Sequence, residues 1–177
     1  STIVPMLRQN RHAYCNEMGY RCIVHDSTLD NERPTAWSKV IGVQRAIESG
    51  CGLVLWIDAD ALILHPIDLL TLATNELVLA KDSNGINTGV MLWKNTPFVR
   101  DFLGYLYHRN ENKIHHPWWE QQALMEELRT NDELQRRTTY VQQERLNAYD
   151  MHKAQFIFHT PGCAKDEKLV RLQSAAA

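Results

Sequence analysis

Apolar positions along the chain fall into two patterns, helical stripes and short continuous runs. From Pro5 to Met18 the residues Met6, Leu7, Ala13, Tyr14 and Met18 recur at helical spacing, with Pro5 suited to a first turn and Gly19 to a C-terminal cap. This stretch is predicted as a helix. Arg21-Cys22-Ile23-Val24-His25 reads as a short strand and the polar segment Asp26 to Pro34 as a loop. Trp37, Val40, Ile41 and Ile47 fall on one face of a second helix, which Gly50 and Gly52 end.

Leu53-Val54-Leu55-Trp56-Ile57 is a continuous apolar run that stops at acids, as expected of a strand buried on both faces. Leu77 to Ala80 and Gly89 to Trp93 read as further strands, separated by a loop from Lys81 to Asn87. Thr96 caps and Pro97 starts a helix that turns Phe98, Phe102, Leu103 and Leu106 inward, and another helix runs from about Glu120 to Arg129. Gln155 to Phe158 supplies a last strand ending at His159. Early alternation of helices and strands followed by a mixed region predicts an α/β/α sandwich around a mainly parallel, mixed sheet. Ligands of such sheets sit beyond the carboxyl ends of strands, which is where Asp58, Asp60 and His159 fall. Residues 1–173 read as one domain, and 174–177 as a frayed tail.

Composition narrows the partners. A net charge of −2, with 44% hydrophobic and 23% charged residues, is ordinary for a globular domain. It offers no basic stripe for nucleic acid, and no apolar run of about 18 residues for a membrane. The four cysteines Cys15, Cys22, Cys51 and Cys163 lack zinc-site spacing. Cys15 and Cys22 are close enough in sequence to bridge in an oxidising lumen, although buried free thiols are the preferred reading. The start Ser1-Thr2-Ile3-Val4-Pro5 lacks an initiator Met and a signal-peptide pattern, and reads as trimmed from something longer.

Asp58 and Asp60 are the first candidates for chemistry. Two residues apart after a strand, they point to the same side if the chain stays extended, while Ala59 points away. Carboxylates held close repel unless protonated or bridged by a cation, and hard oxygen ligands favour Mg²⁺ or Mn²⁺. Solvated loop acids are the alternative, but the apolar runs on both sides argue for a partner. His159, at the end of the last strand, gains meaning beside them, because an imidazole tilts the set toward Mn²⁺.

Read in order, the segments Asp30 to Lys39, Trp56 to Ile63, Asn84 to Gly89, Trp118 to Leu124, Leu146 to Tyr149 and His159 to Cys163 resemble glycosyltransferase family 34. That family includes galactosyl- and mannosyltransferases and xyloglucan xylosyltransferases, and the likeness runs from about His12 to Cys163. The resemblance implies a GT-A fold and a nucleotide-sugar donor, UDP- or GDP-linked. It also implies a glycan acceptor, a divalent metal on Asp58, Asp60 and His159, and retention at the transferred hexose or pentose. Asp58 would hold metal, donor ribose or both. Trp37, Ser38 and Lys39 would start a helix facing the donor, with core packing of Trp37 and capping by Ser38 as alternatives. Asn87, Thr88 and Gly89 would line the sugar site, Gly89 allowing close backbone approach. Glu120 and Gln121 would contact the reacting sugar, while Glu120 as a first-turn helix acid is the alternative. Lys165 would meet the leaving diphosphate, and Trp118 and Trp119 the acceptor. The family's first strand is expected to be missing ahead of the opening helix. Golgi or secretory-lumen residence behind a membrane anchor, and oligomers with related transferases, come from family habit alone.

Two other readings use the same acids. A haloacid-dehalogenase-like phosphatase also places aspartates after a buried strand, but Ala61-Leu62 replaces its usual polar continuation. A catalytically silent module for sugar or nucleotide keeps the fold without the reaction.

Overall fold

The structure, a computed structural model, describes residues 3–176 of the 177-residue chain. Ser1 and Thr2 of the start read as trimmed, and Ala177 of the expected tail, lie outside the described residues. Helix α1 (Ile3–Met18) ends as its sequence dictates. Gly19 takes φ +71°, and the Tyr20 N–H returns to the Cys15 carbonyl at 2.8 Å, closing the last turn. The segment 21–25 is irregular, where a strand is expected. Its exposure alternates residue by residue as in a strand, but among the described residues no neighbouring strand supplies a hydrogen-bond ladder. A turn of 3₁₀ helix (Thr35–Trp37) leads into α2 (Ser38–Glu48), whose inward face is Val40, Val43, Ala46 and Ile47; Ile41 is only half-buried.

The main sheet has the order β1 (Leu53–Ile57), β4 (Gly85–Lys94), β3 (Leu77–Asp82), β5 (Thr138–Val141). β4 is antiparallel to both neighbours and β5 is parallel to β3, so three of four strands share one direction in a mixed sheet. β1 packs on both faces, Val54 and Trp56 against one core and Leu53, Leu55 and Ile57 against the other, but it is an edge strand whose open side borders a cleft, so it is half-buried. The polar run Lys81 to Asn87 is mostly ladder rather than loop. Only Ser83 and Asn84 turn, Gly85 adopts φ +120°, and Asp82 accepts from the Asn84 N–H at 2.7 Å.

Side chains of β3 and β4 alternate between the two faces. Leu77, Leu79, Met91 and Trp93 pack with Trp37, Val40 and Val43 and with α3 (Pro97–Arg109) and α4 (Trp119–Thr130). Val78, Ala80, Val90 and Leu92 pack on the opposite side with Tyr14, Leu146 and Phe156. Each fully buried large side chain contributes about 1.5–3 kcal/mol. α3 starts as expected, with Thr96 Oγ1 accepting from the Val99 N–H at 3.2 Å, a cap worth about 1 kcal/mol.

A second, two-stranded sheet pairs β2 (Ala61–Ile63) antiparallel with β6 (Ile157–His159). Asn10 of α1 binds the free side of β2 through both the Ile63 N–H and its carbonyl, at 2.9 and 2.8 Å. The short helices α5 (Asp132–Arg136) and α6 (Gln143–Leu146) flank β5. α7 (Lys165–Ala176) closes the chain and takes Ser174, Ala175 and Ala176 into its last turn, where composition points to a tail.

Candidate active site

The ends of β1 and β6 meet at a cleft of ≈ 1440 Å³. The Asp58 N–H donates to the Gly89 carbonyl at 2.7 Å as the chain leaves the sheet. Asp58-Ala59-Asp60 then makes a turn rather than continuing extended, with the Ala61 N–H returning to the Asp58 carbonyl at 3.3 Å. Arg11 of α1 grips this turn by donating to the carbonyls of Asp58 (2.6 Å) and Ala61 (3.4 Å). Burial lowers the Arg11 pKa, against the pull of Cys22, Asp58 and Asp60. β2 follows at once, and its register sets Ala61 opposite His159. Ligand atoms of Asp58, Asp60 and His159 therefore lie within 4.8 Å of one another, despite the turn. Two carboxylate oxygens and one imidazole nitrogen fit a divalent cation.

Each aspartate carries its own lysine. Lys39 Nζ donates to Asp58 Oδ2 at 3.0 Å and lies 2.9 Å from Glu120 Oε1, with all of Lys39 and Glu120 buried. Burial works against the Lys39 charge, but Asp58 and then Glu120 outweigh it, and its pKa is raised. Trp56 Nε1 donates to the other Asp58 oxygen at 2.6 Å. Lys168 of α7 donates to Asp60 Oδ2 at 2.5 Å, and His159 Nε2 lies 3.0 Å from Asp60 Oδ1. Burial raises the Asp60 pKa, yet His159 and Lys168 together hold it below the usual carboxylate range.

Asn87, Thr88 and Gly89 reach the cleft because β4 bulges. Its register against β3 jumps from Leu79↔Met91 to Ala80↔Asn87, releasing Thr88, Gly89 and Val90 from the β3 ladder. Thr88 Oγ1 donates to Glu120 Oε1 at 2.8 Å, and its N–H donates to Gln121 Oε1 at 3.2 Å. Gln121 is held by its carbonyl oxygen, leaving its amide NH₂ as the free end. Glu120 Oε2 is buried and, among the described residues, without a hydrogen-bond partner.

Several expected roles change. Trp37 is wholly in the core, donating through Nε1 to the Ile114 carbonyl at 3.3 Å, and is not part of the cleft. Ser38 lines the cleft, but its hydroxyl accepts from the Leu29 N–H at 3.0 Å. Lys39 is locked between two acids instead of standing free for a diphosphate. Gly89 lines the cleft, and a Cβ on it would come within 2.1 Å of His159 Cε1, so this glycine makes room for the imidazole. Lys165 lines the cleft and, among the described residues, forms no ion pair; Lys168, one turn further on, holds Asp60. Trp118 and Trp119 stand exposed at the cleft, and Trp119 adopts φ +41°. Arg11, Trp56, Asn147 and Lys168 were not among the expected site residues. Of these, Trp56 and Asn147 lie in segments that carry the family resemblance, and Lys168 falls one helical turn after Lys165.

The fold and the family can be compared with known proteins. The chain aligns with a glycosyltransferase involved in the glycosylation of the major capsid of PBCV-1 at a TM-score of 0.72 and 18% identity, over 95% of this chain and 94% of that one. It also aligns with the glycosyltransferase GlyE of Streptococcus pneumoniae TIGR4 at a TM-score of 0.56 and 16% identity, over 97% of this chain and 50% of that one. These likenesses establish a GT-A-like fold. No curated sequence matches significantly. The family model described as galactosyl transferase GMA12/MNN10 matches residues 69–170, from the turn after β2 through His159 and into α7. With more than half of its length matched, the chain belongs to the galactosyl transferase GMA12/MNN10 family of glycosyltransferases.

Proposed function

We propose that this glycosyltransferase is metal-dependent and retaining, and moves a hexose or pentose from a UDP- or GDP-sugar to a glycan acceptor. The observation that carries the proposal is the convergence of Asp58, Asp60 and His159 at the mouth of the cleft. Mn²⁺, or Mg²⁺, bound there would neutralise charge that builds on the leaving nucleoside diphosphate. Lys165, and Lys168 once freed from Asp60, stand on α7 to meet the same charge. Glu120 is tied to Lys39 and Thr88, which fits a role in positioning better than one as a nucleophile. Same-face attack by the acceptor therefore fits better than a covalent intermediate, with the Gln121 amide beside the reacting sugar. Trp118 and Trp119 offer apolar faces on which an acceptor ring stacks.

Residence in the Golgi or secretory lumen belongs to this proposal on family resemblance alone. Among the described residues, no helix is long and apolar enough to cross a membrane. The free edge of β1 favours a second reading, a module that binds a nucleotide-sugar without turning it over. Calorimetry with UDP-galactose, UDP-xylose, UDP-glucose and GDP-mannose, with and without Mn²⁺, tests both. Mn²⁺-dependent binding of one donor is expected, with an anomer-retained product by NMR and loss of both in Asp60→Ala. Binding without product points to the silent module; no binding to any donor overturns both readings.

A further inference from the structure

His159 has two ring nitrogens, and only a nitrogen without a proton can bind a metal. Which one stays free depends on what the other is bonded to. Nδ1 lies 2.9 Å from Asn147 Oδ1, and Asn147 Nδ2 donates to Asn87 Oδ1 at 2.9 Å. The Asn87 oxygen is identified in turn by a backbone donor: the Gly89 N–H points at it from 2.8 Å. A main-chain N–H cannot reverse its role, so Asn87 must present oxygen there. Asn147 must then present its NH₂ to Asn87 and its oxygen to His159.

We infer that Asn147, anchored through Asn87 to the Gly89 backbone, is a positioning residue that keeps the His159 proton on Nδ1 and reserves Nε2 as the metal ligand. Nε2 is the nitrogen that faces Asp60 Oδ1, at 3.0 Å. With the neutral ring's proton on Nδ1, the lone pairs of Nε2 and Asp60 Oδ1 face each other across that gap, which a metal cation, or in its absence a second ring proton, bridges. The surroundings hold the relay rigid. Asn147 is fully buried, and its own N–H is tied to the Gln143 carbonyl at 2.8 Å. The next residue, Ala148, is clipped to β6 by bonds to Ile157 and His159, each 2.8 Å. Gly89 leaves no gap beside the ring, since a Cβ there would meet Nδ1 at 2.8 Å. Such partners behind a metal-bound histidine commonly change metal affinity by 10–100-fold.

This inference rests on the metal site proposed above, so its test needs one readout with metal and one without. Mn²⁺ affinity, followed by electron paramagnetic resonance, is expected to fall by roughly 10–100-fold in Asn147→Leu, which keeps the volume but removes the acceptor. Asn147→Asp, which still accepts from Nδ1, is expected to bind Mn²⁺ near the wild-type level. In metal-free wild-type protein, long-range ¹H–¹⁵N NMR of neutral His159 should show the proton on Nδ1. A proton on Nε2 overturns the inference, as do equal losses in both variants or undiminished Mn²⁺ binding by Asn147→Leu. Should Asn147→Leu not fold, the wild-type spectrum decides. Wild-type protein that binds no Mn²⁺ but shows the Nδ1 proton would sink the metal-site reading while leaving the relay standing.

Discussion

The two aspartates of one short turn are both partly exposed, but their lysines live in opposite circumstances. Asp58, 29% exposed, pairs with Lys39, which is sealed against Glu120, the lysine and glutamate side chains being 7% and 4% exposed. Asp60 faces Lys168 across an open cleft, and that lysine is 28% exposed. The first arrangement is permanent, because removing Lys39 or Glu120 strands the buried charge of the other. The second is exchangeable, because Lys168 can leave for water or for an anion when another cation arrives. One corner thus holds the shape of the site, and the other is free to take part in its chemistry.

Breaking the sealed corner should have the largest effect. Lys39→Met leaves Asp58 and Glu120 without their shared cation, and chemical denaturation is expected to show a loss of about 3–5 kcal/mol. Stability equal to wild type would mean that the pair is protonated or solvated and the corner is not sealed. Gly89→Ala comes next: its Cβ overlaps His159, with an expected loss of about 1–3 kcal/mol by the same measurement and weaker Mn²⁺ binding by calorimetry.

The open corner should respond differently. Lys168→Met removes a partly exposed ion pair, so stability should change by less than about 1 kcal/mol, while Mn²⁺ binding by calorimetry tightens by roughly fivefold. Weaker Mn²⁺ binding in this variant would show that Lys168 supports the site rather than competing for it. The smallest effect is in pH. The folded-state pKa of Asp60 is depressed, so its contribution is present above the unfolded value of about 3.9 and is lost as pH falls below it toward the folded value. In metal-free protein, Asp60→Asn should therefore flatten the fall of thermal stability below about pH 4.

The legible parts of this molecule are those governed by local rules. Gly19, Thr96 and Pro97 mark helix ends because capping is decided within a few residues. Asp58, Asp60 and His159 are legible because they sit where apolar strands stop. Lys39 could be found but not understood, since its role depends on Glu120, 81 positions later in the chain by numbering and joined to it only by the packing of α2 and α4 on β4. The β4 bulge has no local signature beyond Gly89, and the polar composition of 81–87 conceals a ladder. Arg21 to His25 shows the converse: alternating exposure does not make a strand where pairing is lacking. α7 escapes notice because it buries only Leu172 fully and so carries almost no apolar stripe.

That sparse anchoring of α7 sets an order of events under thermal stress. The amides of β4 lie between β1 and β3 at the centre of the sheet, so they should exchange with solvent mainly when the whole domain opens. α7, held against α1 and β2 largely through Leu172, should exchange earlier and release Lys168 while Asp58, Asp60 and His159 are still in place. Warming would then strip the cleft of a cation before it disturbs the acids, leaving a transient state with the negative charge of the site at its least screened.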